Sequence, residues 1–270
     1  MEMAFMRRRI FLVLMMWGIA GALPLLARQP ETGFLSRTVV VDGVTYKYQV
    51  FVPANWSKKV KWPVILFLHG YGEEGEDGLL QTQEGLPTAI RNQVDRFPFV
   101  VAMPQCHKQD WWTNPAMEAQ ALKALDQTMQ EFKGDPQRVY LTGLSMGGYG
   151  TWALGSQNPG RFAALVPICG GIRLPPGHHI VNARDTDESA DPYTAIVQKI
   201  GKTPVWVFHG GADDTVPVTE SRQMVDALKA AGGNVRYTEY PGVKHNSWDK
   251  AYSETELPSW LLAQKLAVSK

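Results

Sequence analysis

The sequence has two cysteines, Cys106 and Cys169, almost no imbalance of charge, and no internal repeat or low-complexity stretch. So few cysteines exclude a disulfide-stapled scaffold. Neither Cys106-His107 nor His178-His179 has the spacing of a metal-ligand set, so no metal is expected. Lys and Arg number 27 against 26 Asp and Glu, which leaves no basic footprint for counterion-release binding to nucleic acid. A small or neutral substrate fits this balance better. The apolar run at residues 10–22 is shorter than the roughly 20 residues that a membrane-spanning helix needs.

What surrounds that run gives it another meaning. Arg7, Arg8 and Arg9 precede it, and Pro24 and the small Ala27 follow, the layout of a secretory signal peptide. Residues 1–27 are therefore read as a signal peptide and residues 28–270 as one domain, exported to the periplasm or medium with no stable membrane insertion after processing. Without residues 1–27 the formal charge falls from +1 to about −1. Export permits one disulfide. Both cysteines are expected near strand ends with other strands between them, which favours two buried thiols.

Two alternating segments, 38–41 and 44–52, flank Asp42-Gly43, a strong hairpin signal. After them come short continuous apolar runs at 64–68, 99–103, 139–142, 164–168, 205–208 and 235–240, separated by helical stretches. Strands buried on both faces and alternating with helices predict an α/β chain with a mainly parallel central sheet, an N-terminal antiparallel hairpin and helices on both faces. Met117, Ala121, Leu125, Met129 and Phe132 share a helical face. Another helix is expected to start at Pro217, and Ser253 and Glu256 have capping-box spacing ahead of Trp260. The irregular stretch 170–192 is placed where a cap over a site could grow.

Gly143-Leu144-Ser145-Met146-Gly147 follows the run ending at Thr142 and precedes a helical stretch. In that context G-x-S-x-G marks a nucleophile elbow, a sharp turn that projects the Ser145 hydroxyl beside a helix N-terminus. A serine needs a base, and the base needs an acid that fixes its tautomer. Of the histidines beyond Ser145, His245 follows the last strand and the Pro241-Gly242 turn. His209 ends a strand and reads as structural. The loop after that strand offers two acids, Asp213 and Asp214. Oxyanion donors are expected at the backbone N–H of Met146 and, in the loop His69-Gly70-Tyr71-Gly72-Glu73, that of Tyr71.

These segments, together with Met103-Pro104-Gln105-Cys106, His209-Gly210 through Asp213 to Val216-Pro217, and Tyr240-Pro241-Gly242-Val243-Lys244-His245, resemble the phospholipase/carboxylesterase branch of the α/β-hydrolases. They are also similar to feruloyl-esterase-like and polyhydroxyalkanoate-depolymerase-like secreted enzymes. The resemblance implies an α/β-hydrolase fold and a triad of Ser145, Asp213 and His245, because Asp213 occupies the acidic position of the pattern His-Gly-x-x-Asp-x-x-Val-Pro. It implies serine carboxylesterase chemistry without a cofactor, on a small-molecule or carbohydrate-linked ester. Trp112, Tyr149 and Trp248 are candidate substrate-binding aromatics. The other readings are a prolyl-oligopeptidase-like peptidase, or a noncatalytic binding module on the same fold.

Overall fold

In the computed structural model, residues 31–174 and 191–267 are described. The hairpin joins β1 (Gly33–Val41) to β2 (Val44–Val52). At its tip Asp42 and Gly43 both take positive φ, 49° and 80°, as a two-residue type I′ connection requires. Strands and helices then alternate: β3 (Trp62–Leu68), α1 (Leu86–Asn92), β4 (Val100–Pro104), α2 (Pro115–Glu131), β5 (Gly134–Leu144), α3 (Met146–Gln157) and β6 (Ala164–Ile168). After them come α4 (Pro192–Ile200), β7 (Val205–Gly210), α5 (Thr219–Ala230), β8 (Val235–Tyr240), α6 (Trp248–Ser253) and α7 (Leu257–Ala263).

The eight strands form one sheet in the order β1-β2-β4-β3-β5-β6-β7-β8. β1, β2 and β4 are antiparallel neighbours, and β3 through β8 run parallel. This is the α/β-hydrolase architecture that the resemblance implies. Each parallel strand serves both faces. In β3, Val64, Leu66 and Leu68 enter a core shared with α2, α3, α4 and α5, while Ile65 and Phe67 enter a second core under α1, α6 and α7. A side-chain period of two explains why such strands read as unbroken apolar runs. Burying each of these side chains stabilises the fold by about 1.5–3 kcal/mol.

Several boundaries differ from the sequence expectation. β5 begins five residues before the apolar run, at Gly134, because backbone pairing with β3 across a register shift near Trp62 extends it through the polar Asp135, Gln137 and Arg138. α5 starts at Thr219 rather than Pro217, whose carbonyl instead accepts the Glu220 N–H in a preceding turn. The Ser253–Glu256 capping box does not form. Ser253 ends α6 and Glu256 precedes α7, where its carboxylate pairs with Arg236 at 2.6 Å. Cys106 and Cys169 are both free and buried. The expected signal peptide and most of the 170–192 stretch, with His178 and His179, lie outside the described residues.

The β5–α3 turn leaves no room for side chains at its two glycines. A Cβ at Gly147 would overlap the Leu68 carbonyl oxygen, and one at Gly143 would overlap the Gly147 carbonyl. β3 and β5 pair down to Leu68 and Gly143, so this close approach is fixed by the sheet. Gly147→Ala should therefore cost about 3 kcal/mol or more by overpacking against rigid backbone and lower Tm by about 5–10 °C. Gly72, where an added Cβ meets nothing within 4 Å, is the control: thermal melts should find Gly72→Ala close to wild type.

Candidate active site

The turn between β5 and α3 holds Ser145 at φ 52°, ψ −116°, a region costing about 1–3 kcal/mol for a residue with a Cβ. The Ser145 N–H donates to the Ile168 carbonyl at 2.9 Å, and its own carbonyl accepts from Gly148 and Tyr149. Pinned on both sides, the residue has its hydroxyl directed at the loop after β8. There His245 Nε2 lies 2.9 Å from Ser145 Oγ, and His245 Nδ1 lies 2.8 Å from Asp213 Oδ2. The three residues are 32 and 100 positions apart in sequence; pairing of β7 with β8 through Gly210 and Tyr240 sets the two loops side by side.

The loop after β7 is built around Asp213. Its Oδ1 accepts the N–H groups of Thr215 and Val216, both at 2.9 Å. Its Oδ2 faces His245 Nδ1 and also His209 Nε2, the latter at 3.2 Å. Burial by itself would raise the Asp213 carboxyl. The hydrogen bonds from His209, His245 and the two N–H groups overcome it and hold the pKa well below the usual carboxylate range. Asp214 points elsewhere: it pairs with Lys244 at 2.9 Å on the surface.

His209 does more than end a strand. It is fully buried, with Nδ1 2.7 Å from Ser221 Oγ and Nε2 3.0 Å from the Val216 carbonyl. Nε2 faces two acceptors, a carbonyl and the Asp213 carboxylate, so it carries the proton and Nδ1 accepts from Ser221. His209 thereby orients the same carboxylate oxygen that meets His245. The pattern His-Gly-x-x-Asp held this signal, since a strand-end histidine four residues before the acid lies within reach of its side chain.

A second buried histidine shapes the loop after β3. His69 Nε2 accepts the Cys106 N–H at 2.9 Å and Nδ1 donates to the Gly70 carbonyl at 2.6 Å. Burial lowers its pKa to about 4, so the ring is neutral and joins the end of β3 to the segment after β4. Tyr71 begins a short helical turn and Met146 begins α3. The first N–H groups of such turns have no acceptor inside them, so neither is spent within its own turn. Trp112 does not reach the site. It is fully buried and donates Nε1–H to the His69 carbonyl at 2.9 Å. Its neighbour Trp111 takes a place in the cavity wall instead.

That cavity, of about 540 Å³, opens over Ser145 and His245, and both Tyr149 and Trp248 line it. Trp111 meets Tyr149 edge-on at 5.6 Å, and Trp248 meets His245 edge-on at 5.4 Å. Glu73 and Glu84, neither singled out from sequence, are also in its wall. Cys169, Asp213 and His245 place potential ligand atoms within 4.8 Å of one another, the one such set among the described residues. Burial pushes the Cys169 thiol up to about 12, and the other two members are occupied by their mutual hydrogen bond. A metal there would compete with the Ser145–His245–Asp213 chain.

The model of the dienelactone hydrolase family matches residues 93–255. A secreted protein of Arthroderma benhamiae, itself uncharacterised, is 26% identical over 76% of this chain and 24% of its own length. An uncharacterised peptidase of Bacillus subtilis strain 168 is 30% identical over 76% of this chain and 34% of its own. The chain thus spans about a quarter to a third of these two relatives. Among solved structures, a thermostable esterase superposes with a TM-score of 0.71 and 34% identity, covering 86% of this chain and 63% of that one.

The geometry separates the two aspartates and gives His209 a measurable role. With p-nitrophenyl acetate as probe, Asp213→Asn should lower kcat by roughly a hundredfold to ten-thousandfold with little change in KM, because His245 loses its correct tautomer. Asp214→Asn should match wild type in both kcat and melting temperature. His209→Ala should lower kcat by about tenfold at nearly constant KM, through a less well held Asp213. Wild-type kcat in Asp213→Asn would remove that residue from the site.

Proposed function

Since the chain belongs to the dienelactone hydrolase family of α/β-hydrolases, we propose that it is a serine carboxylesterase acting on small or soluble esters, including carbohydrate-linked ones, through an acyl-enzyme. The observation that carries this reading is His245, bridging Ser145 Oγ at 2.9 Å and Asp213 Oδ2 at 2.8 Å. As Ser145 Oγ attacks the ester carbonyl, His245 Nε2 takes its proton, and Asp213 steadies the resulting imidazolium. The N–H groups of Tyr71 and Met146 receive the developing oxyanion. His245 returns the proton to the departing alcohol, and water, activated by the same imidazole, then hydrolyses the acyl-enzyme. No step calls for a cofactor or metal.

Among the described residues no helix is long and apolar enough to cross a membrane. The basic and apolar opening of the sequence and the likeness to a protein named as secreted support export, with residues 1–27 removed. N-terminal sequencing of protein recovered outside the cytoplasm should then begin near Arg28; recovery with Met1 intact in the membrane fraction would contradict this.

The likeness to a Bacillus subtilis protein named as a peptidase supports a second reading, amide hydrolysis, and one kinetic comparison decides between them. Purified protein should hydrolyse short p-nitrophenyl esters, retain that activity in EDTA, and lose kcat by roughly ten-thousandfold or more as Ser145→Ala. Peptidyl p-nitroanilides should turn over far more slowly. Undiminished turnover by Ser145→Ala, or faster cleavage of anilides than of esters, would overturn the proposal.

A further inference from the structure

The walls of the cavity carry a charge pattern that ester chemistry by itself does not call for. Two carboxylates, Glu73 and Glu84, lie among its lining residues, and no Lys or Arg among the described residues accompanies them. The two hold different places. Glu73 Oε2 accepts the Gly70 N–H at 3.0 Å, which ties it to the backbone of the loop carrying Tyr71. Glu84 is exposed at the rim, and its Oε2 takes the Trp248 indole N–H at 3.3 Å. Burial raises the Glu73 carboxyl, and the charge of Glu84 adds to that.

Trp248 says which part of the substrate meets Glu84. Its ring stands edge-on to His245, 5.4 Å away at 88°. In the proposed reaction His245 hands its proton to the departing alcohol, so the Trp248–Glu84 wall flanks the alcohol and not the acyl chain. An aromatic ring beside a carboxylate, with no competing cation, is a setting for positive charge: the ring face and the carboxylate both attract it. Tyr71, 57% exposed and also in the cavity wall, adds a second aromatic surface.

We infer that the cavity selects esters by the charge of their alcohol part, preferring a cationic alcohol to a neutral one and disfavouring an anionic one, with Glu84 as the selecting residue. This rests on the reading of His245 as the group that protonates the leaving alcohol. Glu84 is at the rim, where solvent and salt screen it, so the selection is a matter of roughly three- to tenfold per charge rather than all or none.

The test uses three acetate esters of similar size: acetylcholine, its neutral isostere 3,3-dimethylbutyl acetate, and an acetate of a short hydroxy acid. Wild-type kcat/KM should fall in that order by about three- to tenfold per step, with the spread narrowing as ionic strength rises. Glu84→Gln keeps an acceptor for Trp248 and should collapse the acetylcholine-to-isostere ratio towards one. In parallel, calorimetric titration of Ser145→Ala protein with the same esters reads the order of binding without any turnover. Hydrolysis of the neutral ester with equal or lower kcat/KM for acetylcholine, or a ratio unmoved by Glu84→Gln, would overturn the inference and leave the esterase reading standing. Absence of hydrolysis of all three and of p-nitrophenyl acetate would overturn the esterase reading, and the binding order would still decide charge selection: a cation bound no more tightly than its isostere would refute it.

Discussion

The close contact of the β5–α3 turn with the end of β3 governs the rest of the site. Ser145 sits at a positive φ because Gly143 and Gly147 let the turn press against the carbonyls of Leu68 and His69. That contact does two things at once. It projects the Ser145 hydroxyl from the sheet edge, and it sets the start of α3, where Met146 lies, against the end of β3, which Tyr71 follows. The strain at Ser145 is tolerated because the sheet on either side over-determines it: β5 is hydrogen-bonded to β3 and β6 along its inner half, and the two apolar cores hold the sheet from both faces.

Buried polar groups elsewhere answer to this arrangement. His69 and His209 are both nearly or fully buried, and each spends both ring nitrogens on fixed partners. One neutral histidine shapes the loop after β3; the other holds the carboxylate that faces His245. Asp213 is the more demanding case. A buried carboxylate without donors would take up a proton, and a protonated Asp213 would no longer favour the imidazolium form of His245. Four hydrogen bonds keep it charged.

Much of this was legible in the sequence because the constraints were local. The hairpin tip needs positive φ, and Asp42-Gly43 announces it. The elbow needs two residues without a Cβ at fixed spacing about a serine, and Gly143 and Gly147 supply them. The parallel strands are apolar on both faces and read as such. What escaped was set by contacts distant in sequence. Trp111 and Trp112 are chemically identical neighbours, and only packing against His69 decides that Trp112 turns inward while Trp111 lines the cavity. The polar first half of β5 is a strand because of its partner, not its side chains. Glu84 gains its place through Trp248, 164 positions away, and although Trp248 is a candidate from the sequence, no motif marks Glu84.

The central claim is that one hydroxyl, Ser145 Oγ, is the activated nucleophile. Treating the purified protein with a fluorophosphonate and locating the adduct by intact mass and peptide mapping tests it most directly. The account predicts one phosphonyl group per chain, on the peptide containing Ser145, formed in step with loss of ester hydrolysis and absent from Asp213→Asn on the same timescale. Complete inactivation with the label on another residue, or full ester turnover by protein stoichiometrically labelled at Ser145, would contradict it.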